Sequence, residues 1–165
     1  MELQKRKPIR LKNYDYSSPG AYFITICTHN RKELLSEIIV GDDAHIVPKN
    51  HISKYGLICD KYINNINIKY ENVTVDKYVI MPNHIHLIII LRGTMRASSP
   101  TNNIAGIIRT FKTMVTKEIG YSIWQRSYHD HVIRGEKDYQ KIWEYIDTNV
   151  IKWESDCFYT VDKIS

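Results

Sequence analysis

The chain has 165 residues, of which 43% are hydrophobic and 25% are charged, and this is the composition of one ordinary globular domain. The three cysteines are widely spaced, which argues against a disulfide framework. The longest aliphatic run, 87–91, is too short to span a membrane, and the N-terminus does not have the pattern of a signal peptide. We therefore expect a cytoplasmic protein with no membrane partner. A net charge of +5 suits an acidic polymer as partner, although a basic protein without such a partner has the same charge.

The first half of the chain predicts an arm, a strand and a helix. Residues 1–19 form a basic, poorly structured arm that ends at a Ser-Ser-Pro-Gly turn. Residues 21–28 are rich in β-branched and aromatic side chains, which indicates a strand. Residues 33–50 are irregular, with a short hairpin around 41–43. Residues 52–66 predict a helix with an apolar stripe of Leu57, Ile58, Tyr62, Ile63 and Ile66.

Two strands joined by a tight reversal at Pro82-Asn83 follow, at 73–80 and 84–91. The second is apolar on both faces, which is typical of a central strand covered on both sides. A loop of small and polar residues then occupies 93–102.

The remaining elements complete an α+β fold. Asn103 predicts the cap of a helix that runs to about 119, with Ile104, Ile107, Ile108, Phe111 and Val115 inward. A short strand at 121–126, an edge segment at 128–134 and a helix at 137–149 follow, the last with a core stripe of Tyr139, Ile142, Trp143 and Ile146. The order β-α-β-β-α-β-α fits a ferredoxin-like antiparallel sheet with helices packed on one face. We expect one domain at 20–155 and a tail at 156–165.

The most informative pattern is a pair of histidines at the start of the apolar strand. His84 and His86 project to the same face, because side chains alternate along a strand. Two neutral imidazoles can bind one divalent metal ion, but a hard cation needs a third ligand and an open position for substrate. Single histidines on apolar strands are more often part of the core.

The last helix offers candidates for the missing groups. Tyr145 and Asn149 are four residues apart and therefore share a face of that helix. On spacing alone, a tyrosine at the edge of the core and an asparagine near a helix end are equally ordinary.

Cations next to aromatic residues form a second pattern, at Arg109, Lys112, Trp124 and Arg126. Such groups bind phosphates and stack on bases, but a solvated helix face and a core tryptophan explain them as well. His129 and His131 flank Asp130 and form another potential metal group, for which surface histidines are the simpler interpretation. No glycine-rich nucleotide-binding loop and no Gly-x-Ser-x-Gly motif is present.

Six segments together resemble the single-tyrosine HUH transposases, in particular the REP-associated tyrosine transposases. Among them are Tyr-Val-Ile-Met-Pro-Asn-His-Ile-His at 78–86 and Tyr-Ile-Asp-Thr-Asn at 145–149. The other segments are 10–16, 20–31, 107–112 and 123–134. The family pattern continues Asn-Pro, whereas Val150 follows Asn149 in this chain.

The resemblance implies a ferredoxin-like core, with the tyrosine on the C-terminal helix, that cuts single-stranded DNA at hairpin-bearing ends. It implies that Tyr145 is the nucleophile and that His84, His86 and Asn149 hold Mg²⁺ or Mn²⁺. The expected product is a 5′-phosphotyrosine that a 3′-OH can attack again, so the enzyme nicks and rejoins strands. Relatives act as monomers or as homodimers, and both remain open. The alternative is a domesticated, catalytically inactive binder of single-stranded nucleic acid.

Overall fold

An antiparallel sheet of four strands forms the centre of the fold. The computed structural model describes residues 10–41, 46–93 and 103–159. In chain order the strands are β1 Gly20–Cys27, β2 Ser36–Ile39, β3 Lys49–Ile52, β4 Val73–Ile80, β5 His84–Leu91 and β6 His129–Ile133. The helices are α1 Lys54–Lys69, α2 Ile104–Ile119 and α3 Glu136–Thr148. The sheet order is β4-β5-β1-β6, and β2 and β3 form a separate hairpin. This confirms the predicted ferredoxin-like architecture.

Strand β5 lies between β4 and β1 and is buried on both faces, as its sequence predicts. On one face Ile85, Leu87, Ile89 and Leu91 join the main hydrophobic core. On the other face His84 is paired with Cys27 and His86 with Thr25 of β1. The two histidines are therefore held in the middle of the sheet, on the face opposite the main core.

Helices α1 and α2 pack together over the apolar face of the sheet. Asn103 caps α2 by accepting a hydrogen bond from the Gly106 amide, and the whole predicted stripe of α2 is buried. In α1 the prediction is wrong for Leu57, which is 62% exposed. The buried stripe of α1 consists of Gly56, Cys59, Ile63 and Ile66, and this spacing turns Leu57 toward solvent.

Helix α3 crosses the histidine face and is held there mainly by polar contacts. Of its residues only Ile146 is buried. The Tyr139 hydroxyl donates a hydrogen bond to Asp76, and Lys77 Nζ lies 2.5 Å from a carboxylate oxygen of Asp147. Trp143, predicted as core, is 40% exposed. It lies at the edge of the sheet, where the centroid of its ring is 3.5 Å from Lys77 Nζ.

Four other predictions about elements need correction or lie outside the described residues. Residues 121–126 are not a strand, since only Trp124 bridges to Thr28 where β1 ends, and the sheet resumes at β6. Residues 10–19, predicted as part of a poorly structured arm, pack Tyr14 and Tyr16 against the core. Residues 42 and 43 of the predicted hairpin and residues 94–102 of the predicted loop lie outside the described residues. The division into arm, domain and tail stays a prediction.

None of the helices in the described part of the chain is both long and apolar enough to cross a membrane.

The start of α1 lies against a backbone carbonyl, and this contact predicts a stability effect. A Cβ on Gly56 would overlap the Leu35 carbonyl oxygen and lie 2.5 Å from Ile52 Cγ2. We expect Gly56→Ala to lower the free energy of unfolding by about 1–3 kcal/mol despite its better helix propensity. Urea denaturation measures this. The control is Leu57→Ala at the exposed neighbour, expected within about 0.5 kcal/mol of wild type. Equal stability of the two variants would contradict the close approach.

Candidate active site

His84 and His86 are completely buried and lie with their rings 4.4 Å apart. Each Nδ1 has a hydrogen-bond partner at 2.8 Å: Asn83 Oδ1 for His84 and Thr25 Oγ1 for His86. These partners fix the orientation of both rings through one nitrogen. The other nitrogen of each ring, Nε2, can then bind a ligand in the site, as in metal-binding histidines whose second nitrogen is held by the protein.

Burial keeps both imidazoles neutral. It lowers the pKa of His84 to about 3, with a further contribution from the charge of Arg31. Burial also lowers the pKa of His86 well below its ordinary value, reinforced by His84 and opposed by Asp156. Neutral imidazole is the form that binds metal ions, so the pair is in the binding form throughout the physiological pH range.

The structure brings Tyr145 to this pair from α3. Its hydroxyl oxygen lies 3.2 Å from His86 Nε2, and the hydroxyl donates a hydrogen bond to Asp156 Oδ2 at 3.0 Å. Its ring contacts Phe23, and the residue remains 37% exposed. Burial of the phenol raises the pKa of Tyr145, and the carboxylate of Asp156 raises it further. The phenol is therefore protonated at neutral pH, but solvent or a substrate can reach it.

Asn149 lies one turn after Tyr145 and is 1% exposed. Its backbone stays helical, with φ −61° and ψ −40°, although Val150 replaces the proline of the family pattern. Its amide nitrogen donates to Asp156 Oδ2 at 3.1 Å, while its buried Oδ1 has no hydrogen-bond partner. Asn149 therefore lies next to the tyrosine with a free amide oxygen, and its role as a ligand stays a prediction.

Asp156 is the residue that the sequence did not reveal. It follows a 3-10 turn, Trp153–Ser155, and its carboxylate joins His84 and His86 in a group whose ligand atoms all lie within 4.8 Å of one another. No periodicity or motif singles out this aspartate, because only the fold carries it back to β5. It is the only such group of three in the described ranges.

The donor set of this group fits a divalent cation. His84 Nε2 and Asn149 Oδ1 are buried without hydrogen-bond partners, which is costly unless something binds them. Two imidazole nitrogens, a carboxylate and an amide oxygen are ligands that Mn²⁺ accepts, and the oxygens suit Mg²⁺.

The segment that carries Asp156 also covers the histidines. The ring of Phe158 lies 4.5 Å from that of His84 and 5.8 Å from that of His86. Its carbonyl accepts a hydrogen bond from Asn83, and Arg31 donates to the neighbouring carbonyl of Cys157. The predicted tail thus begins as a wall of the site.

A basic groove of about 1210 Å³ lies between α2 and residues 122–129. All four residues predicted to bind DNA line it. Arg109 and Arg126 are exposed, whereas Trp124 is only 6% exposed and packs against Phe111. Lys112 donates hydrogen bonds of 2.9 Å to the carbonyls of Gln125 and Ser127. These contacts give Lys112 and Trp124 a part in shaping the wall of the groove.

The second predicted histidine group does not converge. His129 and His131 are exposed on one face of β6, and Asp130 points to the other. His131 instead pairs with Asp138 of α3, with Nε2 and the carboxylate oxygen 2.8 Å apart. That contact ties β6 to the helix that carries Tyr145.

The lowered pKa values predict how stability depends on pH in metal-free buffer. Because His84 titrates at about 3 when folded and near 6.5 when unfolded, the unfolded state binds more protons as the pH falls below about 6.5. Stability should then fall by up to about 1.4 kcal/mol per pH unit for this group.

Urea denaturation at pH 7, 6 and 5 measures this dependence. His84→Gln should lose stability less steeply than wild type, while the exposed His51→Gln leaves the buried pair intact and serves as control. The same slope in His84→Gln and in wild type would be inconsistent with a neutral, buried His84.

Comparison with known proteins places the chain in a family. A family model described as "Transposase IS200 like" matches residues 16–149. An uncharacterised protein of Haemophilus influenzae is 38% identical, with 95% of this chain and 94% of the relative aligned. A second protein of that organism, named as a REP-associated tyrosine transposase, is 28% identical over 86% of this chain and 77% of its own length. The solved structure of a REP-associated tyrosine transposase bound to a REP hairpin has the same fold, with a TM-score of 0.65, 21% identity and coverage of 87% of this chain and 74% of that one. The chain therefore belongs to the family of IS200-like transposases.

Proposed function

We propose that the protein is a DNA transesterase that nicks and rejoins single strands through a covalent bond to Tyr145. The observation that carries this proposal is the 3.2 Å distance between the Tyr145 hydroxyl and His86 Nε2, which joins a nucleophile to a pocket with unpartnered metal-ligand atoms. A water-activating hydrolase would not need a phenol at this position.

His84, His86, Asp156 and Asn149 would hold a Mg²⁺ or Mn²⁺ ion. The two histidines would contribute ring nitrogens, and Asp156 and Asn149 would contribute oxygens. When bound, the ion would supply positive charge that stabilises the phenolate and the charge that grows on the phosphoryl oxygens.

The chain's own groups orient the attack. Asp156 accepts the hydrogen bond of the Tyr145 hydroxyl and so directs its oxygen into the pocket. The phenol oxygen attacks phosphorus as its proton passes to the Asp156 carboxylate that accepts its hydrogen bond. The bond to the 3′ oxygen breaks, and that oxygen takes up a proton from solvent and leaves as a 3′-OH while the 5′ phosphate stays on Tyr145. The ester keeps the strand activated, so a 3′-OH can reverse the step and join DNA without a nucleotide cofactor.

The basic groove is the proposed binding site for the DNA strand. Arg109 and Arg126 are exposed along it and would contact phosphates, while Lys112 and Trp124 shape its wall. Binding should weaken steeply with salt, because phosphate contacts release counterions. The relative bound to a REP hairpin supports hairpin-bearing single strands as substrate.

One chain supplies every side chain of the proposed site. Tyr145 reaches His86 of its own chain, which favours action as a monomer, although a homodimer would keep the same contacts. The thiols of Cys27, Cys59 and Cys157 are free, which fits the reducing cytoplasm as the proposed location.

The first test concerns the nucleophile. Tyr145→Phe should retain its fold and its affinity for DNA, because the ring keeps its packing, but it should form no SDS-resistant adduct with a labelled, hairpin-bearing strand in Mn²⁺. The control is Tyr121→Phe, an exposed tyrosine, which should form the adduct at the wild-type rate. An adduct with Tyr145→Phe would refute the assignment.

The second test concerns the ligands, measured without DNA. In isothermal titration with Mn²⁺, Asp156→Asn should weaken binding at least about tenfold, because an anionic ligand is lost. Glu154→Gln, which removes an exposed carboxylate two residues earlier, should bind as wild type does. His84→Ala should bind no Mn²⁺ and lose metal-dependent cleavage. Wild-type affinity in either site variant would remove that residue from the ligand set.

A further inference from the structure

The groove and the candidate active site lie at the two sides of one sheet edge. The groove is lined by residues of α2, by Arg10, His29 and Asn30, and by residues of the segment 122–129, which includes His129. His129 is the first residue of β6, the edge strand of the sheet. Tyr145 and the histidine pair lie on the face opposite α2. A DNA strand bound in the groove can reach them by passing over β6.

The strand register shows where this passage is shortest. Thr25 of β1 is paired with His86 on one side and with His129 on the other. Paired residues project to the same face, so the three side chains form one row across the sheet. With neighbouring strands about 4.8 Å apart, the backbones of His86 and His129 are about 10 Å apart. Thr25, which is 5% exposed and hydrogen-bonded to His86, lies between them.

The His129 end of this row is open to a ligand. Helix α3 begins beyond the far end of β6 and crosses toward β4, where its polar contacts lie. The start of β6 is thereby left uncovered, and His129 is exposed. Within the described ranges, no hydrogen bond, ion pair or ring contact involves the His129 imidazole, in contrast to His131, which is held by Asp138. A ring nitrogen of His129 is therefore available to donate to an acceptor.

We propose that His129 is a positioning residue that holds a backbone phosphate of single-stranded DNA where the strand crosses the β6 edge from the groove to Tyr145. The inference rests on the proposed function, and it adds a path that joins binding to chemistry. The imidazole donates a hydrogen bond to a phosphate oxygen, and the contact sets how far the scissile phosphate extends beyond the edge.

The test compares two labelled strands: a long one that reaches both the groove and the pocket, and a short one that fits only the pocket. Adduct formation in Mn²⁺ is followed with the full chain. His129→Ala should lower the efficiency on the long strand about tenfold, as expected for loss of one charged hydrogen bond, and leave the short strand unchanged. His129→Gln, which keeps a donor, should recover part of the loss. The exposed His51→Ala should match wild type on both strands.

If His129 had a purely structural role, His129→Ala would lower the efficiency of adduct formation equally on both DNA strands, and that result would overturn the proposal. Wild-type efficiency of His129→Ala on the long strand would also overturn it. Fluorescence anisotropy in a Tyr145→Phe background repeats the comparison without chemistry. If His129→Ala weakens long-strand binding there while wild type forms no adduct, the path stands and the transesterase proposal fails. If wild type binds no single strand, both fail.

Discussion

The pairing of β5 on both of its edges is the constraint on which the rest of the structure depends. It fixes the side-chain alternation, so that one face of the strand enters the core under α1 and α2 and the other presents two imidazoles. A slip of one residue would turn the histidines into the core and the leucines and isoleucines toward Tyr145. The hydrogen bonds that stabilise the sheet therefore also fix the geometry of the candidate site.

Much of this arrangement follows from local sequence. The two apolar faces of β5, the cap at Asn103 and the stripe of α2 are repeated signals at fixed spacing, and the structure agrees with each. Family resemblance, more than spacing, drew attention to Tyr145 among twelve tyrosines, and the fold then placed it at the histidine pair.

Other features could not be predicted because they arise from contacts distant in sequence. Ile123 and Trp124 have the composition of a strand, but they are apolar because they fill the core beside Phe111. Trp143 lies in the predicted stripe of α3 and remains exposed because it packs against Lys77 at the sheet edge. No sequence pattern identified Asp156, because its position next to β5 depends on the chain turning back after α3.

Buried polar atoms without hydrogen-bond partners affect which substitutions would stabilise the protein. His84 Nε2 and Asn149 Oδ1 reduce the stability of the empty fold, and apolar side chains of similar volume would remove that penalty. A descendant that had abandoned its chemistry would be free to drift toward such replacements and would become more robust. This chain has both polar atoms, as the proposed transesterase would need.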